Sequence, residues 1–406
     1  MAAVRKTSRP PVLILGKTIT ALGVLRVLAA HGVESYVVDA TSEIIVRSRW
    51  YRPAERTLPE TQDSDELASY LDSLHLSRAV LIACSDKWTN AVAGLPKETL
   101  QRYPASIAPA ATVSQFLDKD RFSALVDRLG IARPRSLALH GPADLELVTD
   151  DDLADGFLKP TDSPRHNLAF GTKGFFAHSR DAAVRRVEQA RVAGITYVLQ
   201  EWIPGGMSST VLIDGFVDRN GTITAMIARR RLRMNPPRLG NTTADVTIPL
   251  AEVSEVVPGL RTLLAEVAYR GIFNVEYKFD ERDRHFKIIE LNPRAFWLIG
   301  HIAKAGVDLP WMTYLDAQEL PVPAPAPYRP GRYGLYETPD ATAIARAWSS
   351  FHRPEGPILK PWLTGDHALF WWSDPLPAVA DLWRSLRGRV RGTFGRFGRV
   401  RRRVDH

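Results

Sequence analysis

The chain has 406 residues, 45 % of them apolar and 24 % charged, which suits a globular protein of two or three domains. A single cysteine, Cys84, excludes an intrachain disulfide and a cysteine-rich metal site and favours a reducing, cytoplasmic setting. No run reaches the ~18 apolar residues of a membrane span, and the net charge of +8 lies entirely at the end, where residues 384–406 hold nine arginines against one acid, Asp405.

The apolar run Val12 to Leu15, closed by Gly16, predicts a buried parallel strand, and helical spacing follows from Thr20 to His31 with Gly32 as a stop. Lys17 and Arg26 interrupt the apolar start, which argues against a secretion signal. Ser35 to Val38 and Ala79 to Ala83 predict two more strands, so residues 1–112 read as a small doubly wound α/β sheet with Asp86 at a strand's carboxyl end, where open parallel sheets place ligands. Two nucleotide motifs fail here. Pro11 stands where a P-loop needs glycine, and Thr18 and Ile19 stand where the dinucleotide motif needs it. Asp39, alone after its strand, reads as an ordinary strand-end residue.

A helix is expected from Asp118-Lys119 to Gly130, then a polar linker up to Gly156. Residues 113–320 then form an α+β region with strands near Phe157 to Pro160, Tyr197 to Glu201, Thr210 to Ile213, Ile223 to Ala228, Phe273 to Phe279 and His285 to Leu291. Five prolines between Pro321 and Pro330 mark a linker into an irregular segment, residues 321–383, with five of the ten tryptophans.

The chemistry concentrates in Asn274-Val275-Glu276-Tyr277-Lys278 and Ile288-Ile289-Glu290-Leu291-Asn292-Pro293-Arg294, two strands joined by a charged turn. Alternation puts Glu276, Glu290, Asn274 and Asn292 on one face and apolar residues, Ile289 and Leu291 among them, on the other. The even register that lets Glu276 and Glu290 share a face pairs Glu276 with Glu290, Asn274 with Asn292 and Lys278 with Ile288. Two adjacent carboxylates repel unless a cation compensates, and Glu, Glu and Asn oxygens suit Mg²⁺ shared with phosphate. Arg294 follows as a planar fork for an anionic oxygen cluster. Upstream, Lys159 ends a strand, Lys119 starts a helix, and Gln200-Glu201-Trp202-Ile203-Pro204-Gly205 forms a strand-to-turn edge on which an adenine can lie. Arg229, Arg231 and Arg233 alternate onto one face, Arg230 onto the other, giving a basic surface for a γ-phosphate or a substrate carboxylate.

Taken in order, Asp118-Lys119, Leu158-Lys159-Pro160, the 200–205 edge, Glu276 and Glu290-Leu291-Asn292-Pro293-Arg294 resemble the ATP-grasp superfamily, in particular its carboxylate–amine ligase branch. The resemblance implies a Rossmann-like N-terminal domain followed by a two-lobed α+β ATP-grasp domain with a cleft between the lobes. It implies ATP and Mg²⁺ as cofactors, two ions, with Mn²⁺ as the alternative. Lys119 and Lys159 would meet the α- and β-phosphates, Glu201 and the 201–203 backbone with Ile203 would form the adenine hinge, and Glu276, Glu290 and Asn292 would bind the metal. Arg294 would stabilise an acyl phosphate, with Arg233 and Lys159 beside it in the chemistry and Arg231 and Asp86 toward the substrates. The stretch Asp162 to Gly174, with Lys173, is the counterpart of a flexible loop over the phosphates. One departure concerns the ribose: where relatives place an acid after the hinge, this chain reads Gly206-Met207-Ser208-Ser209, so either Ser208 or a residue from elsewhere substitutes, or the ribose is held loosely.

The implied reaction joins a small-molecule carboxylate to an amine. A different nucleophile, or a non-catalytic nucleotide-binding scaffold, are the alternatives, and a homodimer is compatible with each. At the end of the chain Leu376, Val379, Leu382, Trp383, Leu386 and Val390 fall at helical spacing beside arginines. That pattern suits an anionic surface, either nucleic acid or the inner face of a membrane. The rival expectation, favoured because Ser373 to Pro377 resembles a family element, is that the stripe packs on the body and only the end dangles.

Overall fold

The structure, a computed structural model, describes residues 9–39, 42–154, 156–237, 239–324 and 327–387. Strands β1 (Val12–Leu15), β2 (Ser35–Val37) and β3 (Val80–Ala83) form a parallel sheet in the order β2-β1-β3, as the apolar runs predict. Between β1 and β2 runs the helix Ile19–Ala30, whose first turn is capped by the Thr18 side chain accepting from the Thr20 amide. This helix lies close against the helix Ile299–Ala305: a Cβ on Gly23 would meet Ile299 Cγ2 at 2.9 Å. Arg26, the charge that broke the apolar run, is fully buried in it and bonds the Asp374 carboxylate through Nε at 2.9 Å. The N-terminal sheet is thus locked to the far end of the chain. Asp39 pairs with Lys17 at 3.0 Å.

A second, antiparallel sheet comprises β4 (Ser136–Leu139), β5 (Gly156–Pro160), β6 (Phe175–Phe176) and β7 (Tyr197–Glu201) in the order β4-β7-β5-β6. β4 lies in the stretch read as linker; its few apolar residues join a sheet because β7 offers a free edge. The helix Arg180–Val192 covers one face through Ala183, Val187 and Ala190.

The third sheet holds β8 (Thr210–Val217), β9 (Ile223–Asn235), β10 (Asn241–Ile248), β11 (Gly271–Asp280), β12 (His285–Asn292), β13 (Tyr333–Leu335) and β14 (Asp366–His367), ordered β12-β11-β8-β9-β10-β13-β14. Apart from the parallel β13–β14 pair it is antiparallel. Three expectations are corrected here. The arginines 229–233 lie inside a 13-residue strand, not past its end. The segment after the prolines is not irregular: it adds β13, β14 and the helix Glu337–Ser349. Within the stretch expected to be a flexible loop, Ser163–Phe170 is helical.

The β11–β12 hairpin pairs Asn274 with Asn292 and Glu276 with Glu290, as expected, but Lys278 does not meet Ile288. A register shift after Glu276 makes Ile289 the bulged residue, so Tyr277 faces Ile288 and Lys278 faces Lys287. The bulge reconciles two demands. It keeps both carboxylates on one face, and it returns Ile288 to the core beside Leu291, a place the plain alternation would have given to Ile289.

The C-terminal stripe is also corrected. Residues 376–387 are helical, and the body takes the side carrying Pro377 and Asp381, with Asp381 fully buried and accepting from the Thr338 hydroxyl. The apolar stripe faces outward, and Val390 with the rest of the arginine tail lies outside the described residues.

Candidate active site

The site is built where the helix starting at Lys119, the end of β5 and the β11–β12 hairpin meet. Lys119 sits in the first turn of Lys119–Arg128, capped by Asp118, and its Nζ donates to the Pro160 carbonyl at the end of β5. That bond seats it beside Lys159. Burial and the neighbouring Lys159 charge together push the Lys119 ammonium down to about 8, with Glu290 opposing. The structure thus brings Lys119, Lys159 and Glu290 into one electrostatic group.

Glu290 is exposed to the cleft, yet enough protein surrounds it for desolvation to raise its carboxyl. Lys159, a bond from Asn292, Arg294 and Arg231 outweigh that and hold it below the usual carboxylate range. Asn292 Nδ2 donates to Glu290 Oε1 at 3.2 Å and to Asn274 Oδ1 at 3.2 Å. Across the strand pair, Glu276 is gripped by Arg231, with Nη2 to Oε2 at 2.7 Å and Nη1 to Oε1 at 3.1 Å. Lys173, at the end of the segment expected to close over phosphates, reaches Asn241 Oδ1 at 2.8 Å and feels both Glu290 and Glu276; burial lowers its ammonium. Gly174 lets this turn pass: its φ is +156°, and a Cβ there would meet the Phe157 ring at 2.4 Å.

Arg294 turns back toward the N-terminal sheet. Its Nε donates to Asp86 Oδ1 at 2.6 Å and its Nη2 to Asn292 Oδ1 at 3.3 Å. Burial disfavours the guanidinium charge, but Asp86 and Glu290 more than restore it. A cavity of about 30 Å³ lined by Arg294, Pro293, Ala83 and Thr89 lies alongside, room for a water and no more.

At the expected hinge, β7 delivers Gln200 and Glu201 between β4 and β5. Glu201 braces the lobes: Oε1 accepts from Arg282 at 2.5 Å, in the hairpin turn, and Oε2 from the Arg135 amide at 3.0 Å. Trp202 sits against Phe176 and under the Lys278 ammonium, 4.7 Å from the ring centre, while Ile203 is buried.

Arg233 is not brought to this group. It is buried, bidentate to Asp340 at 2.8 and 3.0 Å, and donates to the Glu355 and Pro357 carbonyls at 3.3 and 2.6 Å. The expected alternation with Arg231 is interrupted: a register shift sets Arg231 opposite Asp245 but Arg233 opposite the adjacent Ala244, and β9 is long enough to carry Arg233 to the C-terminal segment. Glu355, the residue it seats, was missed by sequence reasoning. The Glu355 carboxylate accepts from the Met207 amide at 2.7 Å, directly at the Gly206-Met207 stretch that lacks its own acid, and it acts electrostatically on Lys278. No local signal points to a residue almost 150 positions from its contact. Also missed was the buried network beside the hairpin on the same face, where Arg229 bonds Asp214 and Asp245, and Asn274 bonds Asp214 at 2.5 Å.

Among the described residues no group of three or more His, Cys, Asp and Glu side chains is placed to hold a metal ion. Glu290 and the Asn292 amide oxygen nevertheless fit a hard cation that takes its remaining ligands from phosphate and water. Glu276 fits less directly, because Arg231 occupies both of its oxygens. Lys119, Lys159, Lys173, Arg231 and Arg294 gather around Glu290, an arrangement of cations that suits a polyanion.

No family model matches the chain. It is 22 % identical over 227 residues to a D-aspartate ligase of Enterococcus faecium, covering 53 % of each chain. It is 23 % identical over 203 residues to the C-terminal section of the carbamoyl phosphate synthase large chain of Methanopyrus kandleri, covering 48 % of this chain and 36 % of that one. The chain thus spans about half or less of these relatives. Similar solved structures include an L-amino acid ligase from Bacillus licheniformis, with TM-score 0.58, 12 % identity and coverage of 80 % and 79 %. Another is the biotin carboxylase domain of 2-oxoglutarate carboxylase from Hydrogenobacter thermophilus, with TM-score 0.60, 12 % identity and coverage of 79 % and 73 %. With the sheet order, the hairpin and these neighbours in agreement, the chain has the ATP-grasp fold.

Proposed function

We propose that this chain is an ATP-dependent ligase of the carboxylate–amine type, which activates a carboxylate as an acyl phosphate and passes the acyl group to an amine with release of ADP and phosphate. The observation that carries the reading is the convergence of Lys119, Lys159 and Lys173 on the Glu290–Asn292–Arg294 strand end, a cationic basket with a carboxylate at its base. Mg²⁺–ATP, with two ions or Mn²⁺ in their place, would supply the phosphoryl group. Lys119 and Lys159 bind its phosphate oxygens, Lys173 covers them, and Glu290 and Asn292 take the metal, with Glu276 joining once Arg231 turns to the γ-phosphate or substrate. The 201–203 backbone with Trp202 receives the adenine. Glu355 supplies the acid that the 206–209 stretch lacks, for the ribose hydroxyls. Arg294, held by Asp86, offers its fork to the acyl phosphate.

The names of the D-aspartate ligase and the L-amino acid ligase support an amino acid on one or both sides of the new bond. The test is release of ADP and phosphate from ATP and Mg²⁺ by the full chain, offered pooled amino acids and small carboxylates, with products identified by mass spectrometry. Amide formation matched to ADP release is expected. Carboxylate-dependent phosphate release that continues unchanged without any amine would point to another nucleophile, and no ATP binding at all would leave only a scaffold.

A further inference from the structure

The helix over residues 376–387 has two unlike sides. Towards the body it presents Pro377 and the fully buried Asp381, which also accepts from Arg384 Nη2 at 2.6 Å. The 3.6-residue repeat sets Leu376, Val379, Trp383 and Leu386 on the opposite side, with Leu382 at its margin. These side chains are 44–60 % exposed, and Trp372, just before the helix, is 90 % exposed. An outward apolar stripe of this kind is uncommon on a surface that has no partner.

Charge identifies the partner. Arg384 and Arg387 are exposed on the helix itself, and residues 388–406 add seven more arginines and one acid. Outside this end the chain is balanced, 44 basic against 44 acidic residues, so the excess is local to the apolar stripe. A nucleic acid would use the arginines but leave Leu376, Val379, Leu382 and Leu386 in water. A second copy of the chain would cover the apolar residues but set the same positive charge against itself. Anionic lipid satisfies both, because the leucines and tryptophan enter the acyl boundary while the arginines stay at the head groups. No helix among the described residues is long and apolar enough to cross a membrane.

We infer that the 376–387 helix is a docking surface for an anionic membrane face. The inference is independent of the ligase reading, since none of these residues is placed in the candidate active site.

The test is cosedimentation of the full chain with phosphatidylcholine vesicles, with or without a third of phosphatidylglycerol, at low and high salt. Binding is expected only to the anionic vesicles and is expected to fall about tenfold at high salt. The double variant Leu382→Glu and Trp383→Glu is expected to lose that binding about tenfold or more at low salt while keeping the wild-type melting temperature. A second variant, with the seven arginines of 388–406 changed to glutamine, is expected to lose the salt-sensitive part. No sedimentation of the wild type, equal binding to neutral vesicles, or full binding by the Leu382/Trp383 variant would each overturn the inference. So would a wild-type dimer that the double variant turns into a monomer, or tight duplex DNA binding that the double variant retains.

Discussion

Arg294 and Asp86 stand 208 positions apart, yet Arg294 Nε lies 2.6 Å from Asp86 Oδ1 and Nη2 lies 3.4 Å from Oδ2. One residue lies two positions past the end of β12; the other opens the helix Asp86–Ala93 after β3. The pair therefore aims a guanidinium from the long sheet by means of a carboxylate from the parallel one. Arg294→Lys keeps the charge but loses the fork, and phosphate release is expected to drop about 10²-fold or more with little change in melting temperature. Asp86→Asn is expected to give a smaller drop, read in the same assay.

Replacing Glu290 tests the basket from its base. Its carboxyl is held below the usual range in the folded protein, so its contribution to stability is present above the ordinary carboxylate pKa and lost as pH falls through the folded value. Glu290→Gln is therefore expected to abolish ATP turnover and to lower the melting temperature slightly at pH 7. Mutual repulsion with Glu276 taken alone predicts a rise, but Lys159, Arg294 and Arg231 have already reversed that balance. Calorimetry of the ligand-free protein decides the sign.

Lys119 titrates near 8, within working pH, and an anion at its Nζ favours the charged form. ATP affinity is expected to fall as pH rises through 8, and binding near that pH is expected to draw protons from the buffer. Lys119→Arg should remove most of that uptake, as read by titration calorimetry in buffers of different ionisation enthalpy.

Glu355→Gln tests the acid supplied from the C-terminal segment. If it holds the ribose, ATP affinity is expected to fall about tenfold, the loss of one charge-assisted hydrogen bond. Binding of inorganic triphosphate should be unchanged, and a competition assay with the two ligands separates these outcomes.

Beside the hairpin, on the face that carries Glu276, Arg229 is buried between Asp214 and Asp245. Arg229→Met leaves two buried carboxylates without their cation and is expected to cost about 3–5 kcal/mol, measured by urea unfolding. This variant distinguishes a scaffold residue from Arg231, its neighbour on the same face, whose loss should affect ATP turnover more than stability.

Much of this molecule was legible in its order of residues. Continuous apolar runs marked β1 and β3 because a strand buried on both faces tolerates nothing else, and alternation marked β11 and β12 because only one face is covered. The same period of two placed Glu276 opposite Glu290 and sent Arg229 and Arg231 to one side. What alternation does not carry is where each strand stops and which distant group waits at a given height along it. The bulge at Ile289 is set by the core's demand for Ile288, a packing requirement of the assembled sheet. Arg231 meets Glu276 while Arg233, two residues on, meets Asp340, because the β9–β10 register shifts between them and β9 runs on to the C-terminal segment. Glu355 reaches Met207, and Arg26 reaches Asp374, through chain closure over about 150 and 350 positions, and no local pattern encodes partners that only folding brings within 3 Å.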